Sequence, residues 1–236
     1  MTVFDDLLVV QEHDTRIDQL RHRRETLPER ARLVEIGDQV AGLEREAAEA
    51  SVARDELARE QKLHEDEVAS LGDRKMSAEA KLYGGEVSNP RELQALQEEI
   101  EALGRRVGHL EDRTLDLMER IEPLDARLAE AASGVASARA EAESVEAQLT
   151  AAEAEVDAEI DGERAAREQL IADVAPELRA EYDQLRGQSG VAIARLTGAQ
   201  CGGCHLSLSA MEVARIRKLS PDEPVHCEEC GRLLAR

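Results

Sequence analysis

Tryptophan is absent from the 236-residue chain, and Phe4, Tyr83 and Tyr182 are its only aromatics. With so little large apolar volume and 34% of residues charged, a conventional globular core is excluded. Long hydrophobic runs are also missing. None approaches the roughly 20 residues that a membrane span needs, and the opening MTVFDDLLVVQEHD lacks the basic, apolar, small-residue order of a leader. The expectation is a soluble, cytoplasmic protein with no membrane partner. Basic charge is scarce: 30 Lys and Arg against 51 Asp and Glu leave a net charge of −21, so any contact with nucleic acid has to come from a local patch. The nucleotide-binding, nucleophile-elbow and metalloprotease signatures G-x-x-x-x-G-K-[ST], G-x-S-x-G and H-E-x-x-H do not occur. An enzyme with a small-molecule substrate is therefore not expected.

What is present is Ala, Glu, Arg, Leu and Asp in a regular order. From Leu93, alternating steps of three and four residues reach Leu96, Ile100, Leu103, Val107, Leu110, Thr114, Leu117, Ile121, Leu124, Leu128, Ala131, Val135, Ala138, Ala142, Val145, Leu149, Ala152 and Val156. Only Thr114 is polar. Such spacing marks a left-handed coiled-coil seam spanning roughly 95 Å. The same steps join Val40, Leu43, Ala47, Ala50, Arg54, Leu57, Gln61, His64, Val68, Leu71, Lys75, Ala78 and Leu82. Between the seams lies YGGEVSNPREL. Gly84 and Gly85 suit a helix end, and Asn89, Pro90 and Glu92 suit the cap, first and third positions of a new helix.

A turn near 83–89 folds the seams into an antiparallel hairpin whose facing residues have numbers that sum to about 175. Gln61 then faces Thr114, which suggests a hydrogen-bonded polar layer. Pro123 predicts a bend or break near 119–123. Pro28 marks a new helix with Thr26 or Leu27 near its cap, and Pro176 opens a short helix that Gly187 ends. The fold class is mainly α, a long kinked antiparallel coiled-coil hairpin followed by a small β-containing zinc ribbon. Residues 1–172 form the hairpin, 173–190 a connecting helix and 191–236 the ribbon.

The zinc assignment comes from the four cysteines, all in the last fifth of the chain and arranged as two C-x-x-C pairs: Cys201, Cys204, Cys227 and Cys230. Cysteines so spaced in a reducing compartment are metal ligands or a redox dithiol, and no thioredoxin-like βαβ pattern accompanies them. Four thiolates close a tetrahedral site around one Zn2+. VAIARL, HLSL, PVH and RLLA flank the pairs and read as short strands, while SAMEVARIRKL suits a helix in the gap. His205 and His226 adjoin ligand cysteines, where a supporting or surface role outweighs ligation.

Charge shifts in this segment. Residues 191–236 carry six Lys or Arg against five Asp or Glu, whereas the rest of the chain totals −22. Arg195, Arg215, Arg217, Lys218 and Arg232 are the candidates for contact with RNA or DNA.

Taken together, KLYGGEVSNPRELQALQEEIEAL and the terminal CGGC…CEECGRLLA resemble the bacterial zinc ribbon domain proteins. The resemblance implies a hook-shaped coiled-coil hairpin followed by a C4-type ribbon, and non-enzymatic regulation. Relatives act as partners of an alternative sigma factor, of secretion or flagellar components, and in one case of messenger RNA. The expectation is a zinc-binding regulatory adaptor, a monomer or weak dimer, that binds RNA or DNA, a protein partner or both in gene-expression regulation; the alternative is a protein-only scaffold or chaperone-like adaptor with no nucleic-acid contact. Tyr83, Gly84, Gly85, Val87 and Asn89 at the hairpin tip are a second candidate docking site.

Overall fold

In the computed structural model, which describes residues 2–236, five helices and three short strands follow in order: α1 (Val3–Glu25), α2 (Pro28–Tyr83), α3 (Pro90–Ile171), α4 (Pro176–Ser189), β1 (Ile193–Thr197), β2 (Gln200–Cys201), α5 (Ala210–Ile216) and β3 (Leu233–Ala235). Contacts divide the chain into two compact units. One is Arg32–Val145. The other joins the residues up to Ala31 with Glu146–Arg236.

The Arg32–Val145 unit is the α2–α3 hairpin. Every seam position named above within it is buried or half-buried, including the polar Arg54, Gln61, His64 and Lys75. Arg and Lys hold such places by laying their methylenes on the seam and keeping their charge at the surface. Ion pairs crossing the hairpin join Arg32 to Glu141, Arg74 to Glu99 and Arg106 to Glu67, numbers that each sum to 173. Ile36 packs with Ala138 and Val145. Toward this alanine-rich part of α3 the helices approach so closely that a Cβ on Gly134 would lie 2.9 Å from Leu43 Cδ1. At the turn, the Asn89 side chain accepts from the Arg91 N–H at 3.0 Å, capping α3.

The seam differs from expectation at one place. Gln61 and Thr114 form no shared layer: Gln61 donates to Glu65 on its own helix, and the Thr114 hydroxyl donates to the Leu110 carbonyl. A partner one turn away satisfies each group without a bridge across the seam. Helix α3 runs through Pro123 without interruption. The long helices are bent, as expected, so only the alternative of a break is not met; Pro123 is exposed while Ile121 and Leu124 stay in the seam, and water can serve the carbonyl that the missing N–H leaves unpaired.

The second unit gathers α1, the last turns of α3, α4 and the ribbon. Thr2 and Asp5 form a reciprocal capping box at the start of α1. Phe4, Leu7 and Val10 on α1 pack with Ile171, Val174, Tyr182, Ala192, Ile193, Leu233 and Ala235. Further along α1, Ile17 and Leu20 pack against Val156 and Ile160. The Tyr182 hydroxyl donates to Asp14 at 2.8 Å, and Arg167 donates to the other oxygen of the same carboxylate at 2.8 Å. Helix α4 passes through Gly187 and stops at Gly190, whose φ of 71° is the left-handed cap that closes it.

Two measurements check this packing. Leu110→Ala, at a fully buried seam position, should destabilise the hairpin by about 2–5 kcal/mol in chemical unfolding. Leu115→Ala, 58% exposed, should change stability by under about 0.5 kcal/mol. Burial, then the bond to Asp14, pushes the Tyr182 phenol far above its ordinary value. The folded state therefore holds that proton more tightly than the unfolded chain. Its contribution to stability should be complete below the unfolded tyrosine value of about 10 and fall as pH rises beyond it. A Tyr182→Phe variant should lack that alkaline slope in pH-dependent thermal melts.

Candidate metal centre

Each pair of cysteines sits on a short turn closed by a backbone hydrogen bond. The His205 N–H donates to Cys201 O and the Gly231 N–H to Cys227 O, both at 2.8 Å. The two turns use the same left-handed residue at the same place, His205 with φ 60° and Gly231 with φ 70°. His205 is exposed, and its contribution here is a backbone one, in a conformation that histidine tolerates better than most side chains. Within the first turn, a Cβ on Gly203 would lie 2.9 Å from Arg232 Cδ and 3.0 Å from Ala194 Cβ, so only glycine lets the turn press onto the sheet.

The sheet has the order β2-β1-β3, with β2 antiparallel and β3 parallel to β1. Strand β2 contains Cys201 itself. The expected strands at HLSL and PVH contract to single bridges, Gln200 to Ser207 and His226 to Leu233, because the thiol turns take up the neighbouring residues. Helix α5 fills the gap between the pairs as expected, with the Ser209 hydroxyl accepting from the Glu212 N–H.

These turns bring the four sulfurs together. All lie within 4.8 Å of one another, with Cys201 to Cys230 at 3.9 Å and Cys204 to Cys227 at 3.8 Å. Tetrahedral zinc with Zn–S near 2.3 Å requires sulfur separations of about 3.8 Å, so the donor set fits one Zn2+. Cys201 and Cys227 are buried and belong to an apolar cluster with Ala194, Leu208, Val213, Ile216, Val225 and Leu234. Burial pushes the metal-free Cys227 thiol up to about 12. Burial also raises Cys230, but backbone and side-chain bonds from Arg232 and its neighbouring thiols outweigh it and leave the value at about 7. The metal supplies the charge that holds all four as thiolates. Neither His205 nor His226 joins the cluster; His226 Nε2 lies 2.6 Å from Glu181 on α4.

The candidate basic residues do not form one surface of free cations. Arg215 is held by two bonds to the buried Glu212, at 2.9 and 2.5 Å, and its guanidinium keeps that carboxyl below the usual range. Arg195 reaches Asp5 at 3.4 Å, and Arg232 donates to Val191 O at 3.0 Å. Among the described residues Arg217 and Lys218 are exposed and have no such partner. At the hairpin tip Tyr83 is 83% exposed, Gly84, Gly85 and Asn89 are exposed, and Val87 is half-buried.

Sequence patterns did not reveal Gln11, which fixes the ribbon to α1. Its Nε2 donates to Ile193 O at 2.8 Å, and its Oε1 accepts from the N–H groups of Ala192 and Ile193 at 2.7 and 2.9 Å. The backbone at the start of β1 is thereby satisfied by a side chain 182 residues away. A lone glutamine in a polar helix carries no signal of this.

Removal of a ligand tests the centre. Cys227→Ser should lower bound zinc from one per chain to well below stoichiometric by elemental analysis, and the four-thiolate absorption of a cobalt-substituted ribbon should disappear. Retention of one tightly held zinc would contradict the four-cysteine assignment.

Comparison with known proteins finds the CT398-like coiled coil hairpin domain over residues 10–190 and a C4-type zinc ribbon domain over residues 200–234. An uncharacterised protein of Mycobacterium tuberculosis is 29% identical over 233 residues, 98% of this chain and 94% of that protein. A solved structure from Mycobacterium smegmatis superposes with a TM-score of 0.86 at 28% identity, covering 99% of this chain and 97% of that one. CT398 from Chlamydia trachomatis has the same fold, with a TM-score of 0.69 at 22% identity and coverage of 98% and 96%.

Proposed function

The chain belongs to the CT398-like coiled-coil hairpin family, here with a C4-type zinc ribbon, and on that premise we propose that it is a non-enzymatic regulatory adaptor whose partner is a protein. The ribbon is its recognition head, and the hairpin with its exposed tip is the spacer and second docking surface. The process it serves is regulation of gene expression, the role that the sequence resemblance supports. A closed centre of four thiolates is structural, since it leaves zinc no coordination position for water or substrate.

One observation carries the choice of a protein over nucleic acid. Arg195, Arg215 and Arg232 are committed to Asp5, Glu212 and the Val191 carbonyl. Only Arg217 and Lys218 remain of the five basic candidates, with no aromatic among the ribbon's residues 191–236 for base stacking. Two free cations, with Arg232 still charged but tied through its Nε, make a small phosphate footprint on a chain of net charge −21.

Titration of labelled single-stranded RNA and duplex DNA at low salt should show no saturable binding below about 100 μM. The nucleic-acid reading, favoured by the free Arg217 and Lys218, requires the opposite: tight binding that weakens steeply with salt and loses about one unit of salt slope when either residue is removed.

A further inference from the structure

On the ribbon, beside α5, is a cavity of about 500 Å³. Its apolar lining includes Leu196 of β1 together with Val213, Ile216 and Leu219. Arg217 and Arg236 are the charged side chains in its lining, which includes no Asp or Glu. The cavity's volume lies in the range of ligand-binding clefts.

The two arginines differ in what they can offer. The Arg236 guanidinium donates to the carbonyls of Ile216, Leu219, Ser220 and Glu223. Its terminal nitrogens are spent on carbonyls, so it is held in place and has little left to offer a ligand. Arg217 is exposed, and among the described residues its guanidinium meets neither carboxylate nor carbonyl. It keeps its planar fork of donors for an incoming group. Two other arginines of the ribbon are paired with carboxylates: Arg215 is neutralised by Glu212 and Arg195 meets Asp5. The chain's excess of acid does not cancel the local field, because charges beyond about 8 Å are screened at physiological salt.

We propose that this cavity is where the ribbon binds its protein partner, and that it receives an aliphatic side chain flanked by a carboxylate, the carboxylate paired with Arg217. The proposal rests on the protein-adaptor reading and names its site. Apolar walls alone would accept any hydrophobic segment. Arg217, which has no partner among the described residues, selects an acidic one and disfavours a basic one.

The test uses the full zinc-loaded chain and a capped, fluorescent peptide in which leucines alternate with glutamates. Saturable binding is expected, weakened at least about tenfold both when glutamine replaces glutamate and in Arg217→Ala, the loss of one charge-assisted pair. Lys218→Ala should leave it unchanged, since Lys218 borders a different hollow with Ser209 and Met211. Zinc content and circular dichroism check that Arg217→Ala is folded. Methyl resonances of Val213 and Ile216 in the unaltered protein locate the peptide without any variant. No binding, equal binding of the glutamate and glutamine peptides, equal losses in Arg217→Ala and Lys218→Ala, or unmoved Val213 and Ile216 methyls would each overturn the pocket while leaving the hairpin tip as a docking site. Nucleic-acid binding in the salt titration would instead sink the adaptor reading itself.

Discussion

Zinc coordination by four thiolates is the interaction on which the C-terminal end of this protein depends. Alternate residues of its two principal strands serve different clusters. Ile193, Leu233 and Ala235 face α1 and α4, while Ala194 and Leu234 face Cys201, Cys227 and the apolar side of α5. The sheet is therefore buried on both sides despite its small size, and one of its two covering layers is the metal centre itself. Without the metal, that layer is a few aliphatic side chains around thiols, too little to offset the entropy of ordering the segment. Binding of structural zinc, worth about 10–16 kcal/mol in small metal-dependent domains, makes up the difference.

The hairpin is ordered differently, by many thin layers of Leu, Val, Ile and Ala rather than by one concentrated centre. That difference explains what the sequence disclosed. Seam positions obey a local rule, and a residue such as Leu110 or Ala138 announces its burial through neighbours three and four places away. The cysteine turns are equally legible, because C-x-x-C fixes ligand type and reach within four residues. Less legible were features set by distant partners. Gln11 binds β1 across most of the chain, Arg236 closes the end of α5 through carbonyls, and HLSL loses its strand character to a thiol turn. Gly187 and Gly190 show the same limit at close range. Both can end a helix, and the choice of Gly190 follows from where α4 must hand over to β1.

Charge gave a partial signal for the same reason. Composition correctly marks residues 191–236 as less acidic than the rest, yet it cannot tell a free arginine from a committed one. The fold commits Arg195, Arg215 and Arg232 internally and leaves Arg217 beside an apolar cavity. An isolated basic group on an acidic chain thereby becomes a selective feature rather than a general attraction for polyanions. On the proposal made for this cavity, the ribbon's preference for an acidic segment would come from Arg217 and the apolar residues beside it.

The central claim is that packing on α1 and α4 does not hold the ribbon's sheet together without zinc. Hydrogen exchange before and after removal of the metal by a chelator tests it most directly. The account predicts that amides of β1 and β3, including Ile193 and Leu234, lose protection together on zinc removal, while those around Leu110 in the hairpin keep theirs. Persistent protection of β1 and β3 in verified metal-free protein would contradict it.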